Sequence, residues 1–280
     1  MAKERLDVLL VNRGYFESRE QAKRSIMAGL VYVKGQKSDK AGTMVDPELE
    51  IEVRGDTCPY VSRGGLKLEK SVKTWELDLT DKVCMDIGSS TGGFTDCMLR
   101  NGAQKVYAVD VGTNQLAYKL RVHPQVVVME KTNIRTLDTN LIEPIDFISI
   151  DVSFISLKLV LPVAASLLKE GARLVCLLKP QFEAGKENVG KGGIVKDEKV
   201  HLNVINAVLG YAAENGLEAL GLTYSPVTGA KGNIEYLLYL SKPEVNDRKG
   251  EADEQDAHIA YNIGPAEIEA VVKESHNHFG

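Results

Sequence analysis

Several things are scarce in this 280-residue chain, and each scarcity excludes something. It has four cysteines (Cys58, Cys84, Cys97 and Cys176) and no C-x-x-C pair, so neither a disulfide framework nor a thiolate zinc site is expected. Cys84 and Cys176 sit inside apolar runs and read as buried thiols of a reducing compartment. The five histidines show no metal-ligand spacing. No apolar run approaches the ~20 residues of a membrane span, and "MAKERLDVLL" lacks a secretory h-region, so a cytoplasmic protein is expected. No internal repeat or low-complexity tract is present. Excess positive charge is missing too: the net charge is −5, which taken alone argues against a nucleic-acid partner.

That average hides an asymmetry. Residues 1–40 carry nine Lys/Arg against five acids, a local excess of +4, while residues 244–256 hold six acids and two bases. The acidic tail conceals a basic front end.

In the front end, "RLDVLLVNRG" spaces Leu6, Leu9, Leu10 and Arg13 as a helix that Gly14 stops. A second helix follows, with Ser18 as N-cap, Gln21 three residues on, and Ala22, Ile26 and Met27 as its buried stripe. "LVYVKGQ" then alternates as a strand into a Lys34-Gly35 turn, and "DPELEIEVRGD" reads as another strand. Residues 1–57 form a compact small domain, 58–61 a linker, 62–242 a large domain, and 243–280 an acidic tail. The stretch "GPAEIEAVVKESH" in that tail makes at most one short, weakly docked helix.

From Lys82 onward, strand-like runs alternate with helical patterns. The strands are Val83–Ile87, Val106–Asp110, Val126–Glu130, Ile145–Asp151, Arg173–Leu178, Leu217–Tyr224 and Glu235–Leu240. Apolar runs separated by helices predict an α/β fold, a doubly wound and mostly parallel seven-stranded sheet preceded by a small α+β module. Within it, "DIGSSTGGFTD" follows the first strand and opens a helix. Its Gly88, Ser90, Gly92, Gly93 and Phe94 are candidates to approach a ligand through the backbone. Asp110 ends the second strand, where a carboxylate meets both hydroxyls of a ribose. An ordinary βα turn needs glycine as well, but strand, helix and acid together favour a nucleoside. A nicotinamide dinucleotide is disfavoured by Ser90 at the middle glycine position and by Asp86, whose charge would repel a pyrophosphate. Asp86 suits the ammonium of S-adenosylmethionine (SAM), and Asn133, just past the third strand, is placed for the adenine edge.

The sequence resembles a known family. "RLDVLLVNRGYFESREQAKRSIMAGLVYVKGQ" is similar to the RNA-binding module first described in ribosomal protein S-four. "YVSRGGLKLEK", "DIGSSTGGFTD", "DVSFISL", "LLKPQFEAG" and "GNIEYLLYL" resemble the TlyA (hemolysin A-like) family, whose catalytic domain is a Rossmann-like, FtsJ/RrmJ-type 2′-O-ribose methyltransferase. The resemblance runs from residue 1 to about 242, with Ser-Ser-Thr in the glycine turn where FtsJ itself has Ala-Ala-Pro. It implies SAM as cofactor, ribosomal RNA or ribosomal subunits as partner, a cytidine ribose as target, and a catalytic tetrad of Lys67, Asp151, Lys179 and Glu235. No metal and no membrane partner are expected.

The residues themselves are compatible with that role. Asp151 and Lys179 lie at strand C-termini, where open α/β sheets do their chemistry. A lysine between an apolar strand end and two carboxylates is suited to orient a ribose hydroxyl or take its proton. For RNA, the candidates are Arg5, Arg13, Ser18, Arg19, Lys23, Arg24 and Lys34 in the front end, with Arg63, Lys186 and Lys191 beyond it. Bases without interleaved aromatics suggest reading of phosphates and shape. Phe182 either stacks on a base or anchors the core. The competing expectations are an assembly factor with little catalysis, a nicotinamide oxidoreductase, and a membrane-lytic protein; the last lacks any strongly amphipathic apolar segment.

Overall fold

A computed structural model describes residues 3–16, 18–27, 29–54, 58–244 and 263–280. The chain divides into two compact units, Met1–Pro59 and Tyr60–Gly280.

The first unit runs β1 (Glu4–Arg5), α1 (Leu6–Asn12), α2 (Arg19–Met27), β2 (Val31–Val33), β3 (Gln36–Lys37), β4 (Met44–Val45) and β5 (Ile51–Val53). β2 is central to a three-stranded antiparallel sheet with β3 and β5, and β1 pairs with β4. Leu6, Leu9, Leu10, Ala22, Ile26, Val31 and Ile51 form its core. Arg5, expected to open the first helix, instead pairs with Met44 in β1. Met27 departs from expectation. It is 74% exposed, and Ser25 is buried in its place, because α2 turns its Ala22–Ser25–Ile26 side inward. Ser18 caps α2 as its position predicts, its Oγ accepting from Gln21 N at 3.3 Å.

The second unit holds α3 (Gly64–Thr74), β6 (Val83–Ile87), α4 (Gly93–Arg100), β7 (Lys105–Val109), α5 (Tyr118–Arg121), β8 (Val126–Met129), β9 (Ile145–Ile150) and α6 (Leu161–Leu167). It continues with β10 (Leu168–Leu178), α7 (Pro180–Glu183), α8 (Glu198–Glu214), β11 (Glu218–Tyr224), β12 (Tyr236–Ser241) and α9 (Pro265–Phe279). All seven predicted strands are present in one sheet, in the order β11-β12-β10-β9-β6-β7-β8. β12 runs antiparallel to both neighbours, and the remaining pairings are parallel.

Every residue of β6 is buried, which explains its unbroken apolar texture. Met85 and Ile87 join a core built with α6, α8 and α9. The alternating residue Asp86 points to the opposite face, where it meets Thr95 of α4. Chain order reverses between β6 and β9, so their C-terminal ends open a crevice.

The tail helix corrects the sequence expectation. α9 is docked: Ile268 and Val272 are buried in the main core, and Ser275 Oγ lies 3.1 Å from the Tyr236 hydroxyl. That hydroxyl is 2.7 Å from His201 Nδ1 on α8. The acidic stretch 245–262 lies outside the described residues. Among the described residues, no helix is long and apolar enough to cross a membrane.

Candidate active site

Four charged side chains from distant parts of the chain meet at the C-terminal end of the sheet. Lys67 on α3 reaches Glu235, just before β12, with Nζ–Oε2 at 2.6 Å. Its Nζ is also 4.0 Å from Asp151 Oδ2. The other oxygen of Asp151 is 2.6 Å from Lys179 Nζ. The result is an alternating row, Glu235–Lys67–Asp151–Lys179, with no excess charge. Lys67, Lys179 and Glu235 are buried, and Asp151 is the most accessible of the four at 20% of its side chain. Buried charges at this density persist only when paired, because desolvation of each is costly.

Local structure explains the placement. Lys179 is the first residue past β10 and Pro180 opens α7 behind it, so the strand ends with Lys179 at its tip. Asp151 follows β9, its N–H donating to Ile87 O at 2.9 Å. The Lys179 ammonium also donates to Ser153 Oγ at 3.0 Å. Ser153 was not singled out from sequence; the nearest signal was its position inside the quoted "DVSFISL".

The glycine turn lies against this row. Gly88 has φ +88°, and a Cβ there would stand 2.4 Å from the Asp151 carbonyl oxygen, so only glycine lets the turn and the loop after β9 touch. At Gly93 the constraint is proximity: a Cβ would lie 2.4 Å from Ser62 Oγ and 2.7 Å from Gly65 N. That contact brings the start of α3, and hence Lys67, onto the start of α4. Gly92 lines neither cavity described below. A Cβ there would run into Leu116 and Leu120, so it faces the packing behind the turn.

Two contiguous cavities share Gly88, Ser90, Asp151 and Ser153. One, of about 260 Å³, contains Lys67, Lys179, Asp86, Gly93 and Phe94 in its walls. The other, of about 740 Å³, runs past Asp110, Asn133 and Arg135 and is within the range of small-molecule sites.

Asp110 accepts from Ser90 N at 2.8 Å and Gly112 N at 2.7 Å, which fixes its carboxylate and leaves lone pairs for further donors. Asn133 Oδ1 accepts from Arg135 N at 3.1 Å. Asp86 is fully buried, and one of its oxygens accepts from both Thr95 N (2.9 Å) and Thr95 Oγ1 (2.6 Å). Burial pushes this carboxyl up to about 7, the Thr95 bonds oppose the rise, and the charge of Asp151 adds to it.

The basic candidates fall on both units. In the first, Arg5 and Arg19 pair with the buried Asp7, and Arg13 donates to Leu49 O and Pro47 O. Lys34 and Arg24 are exposed, whereas Lys23 is half-buried. In the second, Arg63, Lys186 and Lys191 are exposed. Among the described residues, no cluster of His, Cys, Asp and Glu is suited to a metal ion.

Comparison with known proteins is consistent with this geometry. The FtsJ-like methyltransferase family matches residues 60–242, and the S4 domain matches residues 4–51. The "Putative rRNA methyltransferase YqxC" of Bacillus subtilis (strain 168) is 52% identical over 277 residues, 98% of this chain and 94% of that protein. The "16S/23S rRNA (cytidine-2'-O)-methyltransferase TlyA" of Mycobacterium tuberculosis (strain ATCC 25618 / H37Rv) is 40% identical, covering 93% of this chain and 98% of that protein. A solved structure, "Putative hemolysin from Streptococcus thermophilus", superposes with a TM-score of 0.75 at 45% identity, covering 100% of this chain and 98% of the other. By the match across residues 60–242 and by relatives aligned over nearly their whole length, the chain belongs to the TlyA family of FtsJ-like methyltransferases.

Proposed function

We propose that the protein is a SAM-dependent 2′-O-ribose methyltransferase acting on ribosomal RNA, with a cytidine ribose as its target. The observation that carries this is the row Glu235–Lys67–Asp151–Lys179 set beside a nucleoside-sized cavity. Relatives named as rRNA (cytidine-2'-O)-methyltransferases supply the substrate class. The cavity walls fit SAM: the carboxylates Asp86, Asp110 and Asp151 suit a ligand that carries an ammonium and a sulfonium and no phosphate.

When bound, SAM would supply an electrophilic methyl group to a ribose oxygen that loses its proton, the S–CH3 bond breaking with its electron pair staying on sulfur and S-adenosylhomocysteine leaving. The protein's own residues make this possible. Asp110 would hold the adenosine ribose and Asn133 would meet the adenine edge, while Asp151 and Lys179 line the adjoining cavity where the methyl group would be supplied. The RNA 2′-hydroxyl replaces Ser153 as the partner of Lys179 Nζ. Lys179, paired with Asp151, orients the hydroxyl or takes its proton as general base. Lys67, held by Glu235, keeps Asp151 in place from the other side. Because a sugar hydroxyl is a weak nucleophile, positioning and fixed charge carry most of the acceleration.

The first unit serves as the RNA-binding part. Arg5, Arg13 and Arg19 have partners within that unit, so Lys34 and Lys23 are its foremost phosphate contacts, with Arg63 and Lys191 contributing from the second unit.

The test is direct. Purified protein, methyl-labelled SAM and ribosomal subunits from cells lacking the gene should yield 2′-O-methylcytidine in digested rRNA. Label appearing on a base, or in no RNA at all, would refute the proposal.

A further inference from the structure

Glu235 is held on both sides along the chain. Its carbonyl oxygen accepts from Ser225 N at 2.8 Å, and a Cβ at Gly229 would run into its Oε1, so the carboxylate lies on that turn while Oε2 meets Lys67. Two residues earlier, the buried Asn233 faces the glycine-rich segment: its Oδ1 accepts from Val195 N at 3.1 Å and its Nδ2 donates to Gly193 O at 2.8 Å. One residue later, Tyr236 is fully buried with its hydroxyl 2.7 Å from His201 Nδ1. The other ring nitrogen of His201 is 3.1 Å from Val195 O.

These bonds close a ring. It runs from Asn233 to Val195, from the Val195 carbonyl to His201, and from His201 to Tyr236, with Glu235 between Tyr236 and Asn233 in the chain. Burial pushes the His201 pKa down from its ordinary value, against the pull of the Val195 bond, so the ring is neutral and one nitrogen donates. A carbonyl oxygen only accepts. Nε2 therefore carries the hydrogen, and Nδ1 accepts from the Tyr236 hydroxyl. His201 lines neither cavity of the site, so it acts through other residues. The ring also ties in the turn that carries Lys191. Gly190 N donates to Ile194 O at 2.9 Å and Gly193 N to Gly190 O at 3.0 Å, with the exposed Lys191 between them.

We propose that His201 is a positioning residue for methyl transfer: through Tyr236 it sets the place of Glu235, and through Val195 it fixes the Lys191 turn to the same strand end. The inference rests on the proposed reading of an RNA methyltransferase and deepens it. Glu235 holds Lys67 and Lys67 holds Asp151, so a displacement at Tyr236 passes along the row. A misplacement of about 1 Å in a reacting geometry costs on the order of 10²-fold in rate. An RNA phosphate on Lys191 is then held at a fixed distance from the row.

The test is a double-mutant cycle, read by single-turnover methylation of subunits from cells lacking the gene. Tyr236→Phe, which removes one oxygen, should slow methyl transfer roughly tenfold with SAM affinity unchanged. In a Glu235→Gln background the same change should cost nothing further, because the group being positioned is already disabled. A merely structural defect would slow both backgrounds by the same factor. The two arms of His201 are separable. Asn places an oxygen where Nδ1 stands, and Gln places a nitrogen where Nε2 stands. His201→Asn should therefore keep most of the rate, and His201→Gln should lose as much as Tyr236→Phe. An equal cost in both backgrounds, a full rate in Tyr236→Phe, or equal losses in the two His201 variants overturns the inference. One further readout needs no RNA. With lysine isotope-labelled, the Lys67 ammonium hydrogens should exchange with solvent roughly tenfold faster in Tyr236→Phe than in the wild type. Failure of the wild type to methylate any RNA would overturn the functional reading, and the ammonium exchange would still decide the role of His201, an unchanged rate ruling it out.

Discussion

Lys67 Nζ and Glu235 Oε2 stand 2.6 Å apart although 168 residues separate them in the chain. Glu235 is almost wholly buried, so Lys67 is its charge partner and not a chance neighbour. Replacing Glu235 by Ala leaves a buried ammonium with Asp151 at 4.0 Å as its remaining carboxylate partner, and should cost about 3–5 kcal/mol of stability. Glu235→Gln preserves the shape and should cost less, while still lowering methyl transfer. Urea denaturation and single-turnover methylation of undermethylated subunits separate the two effects.

Lys179→Ala should reduce methyl transfer by about 10²–10⁴ with SAM affinity nearly unchanged. Near-normal turnover in that variant would remove Lys179 from the mechanism. Ser153→Ala should have a much smaller effect, since the incoming hydroxyl takes over its bond to Lys179.

Asp110→Ala removes a charged acceptor from the larger cavity and two bonds that shape the turn. Each lost hydrogen bond to a charged group is worth about 1.5–3 kcal/mol, so SAM should bind at least roughly tenfold more weakly by calorimetry. Unchanged affinity would place the ribose elsewhere.

Asp86 links the site to pH. Its carboxyl titrates at about 7 in the fold against 3.8 as an ordinary aspartate, because it is buried. Between those values the native state holds a proton that the unfolded chain has lost. The contribution of Asp86 to stability is therefore full below the lower value, falls as pH rises through the window, and is flat above about 7. Asp86→Asn should flatten that slope in urea denaturation at successive pH values. A cationic ligand favours the carboxylate, so SAM affinity should rise with pH across the same range. Calorimetry below pH 7 in buffers of different ionisation heat should report proton release.

Deleting residues 265–280 exposes the partners of Ile268 and Val272 and leaves the Tyr236 hydroxyl without Ser275. Two buried aliphatic side chains are worth about 1.5–3 kcal/mol each, so the truncated chain should lose several kcal/mol by urea denaturation. A loss below about 0.5 kcal/mol would show that α9 is only loosely attached.

The strands were legible because burial on both faces writes itself as a local apolar run. Val83–Ile87 emerges with the same limits from sequence and structure. The docking of α9 was not legible. Its stripe of Ile268 and Val272 is short, and the surface it covers is built by α8 and β11, far away in sequence. The charged row needed the family motifs, since a lone lysine at a strand end carries no local mark of its partner. Gly92 and Gly93 look alike in sequence, yet only the environment of each Cβ position assigns one to packing and the other to the site. Met27 misled because an apolar residue next to Ile26 fits a helical stripe, whereas the helix fills that face with Ser25.

The contact of Gly93 with Ser62 and Gly65 works as a spacer of no thickness. One methyl group inserted there would act as a shim between two helices, lifting the one that carries Lys67 away from the turn assigned to the methyl donor. Gly93→Ala would then detune the alignment of donor and acceptor while every group of the charged row remained chemically intact. The working distance of this enzyme is set by an atom that is not there.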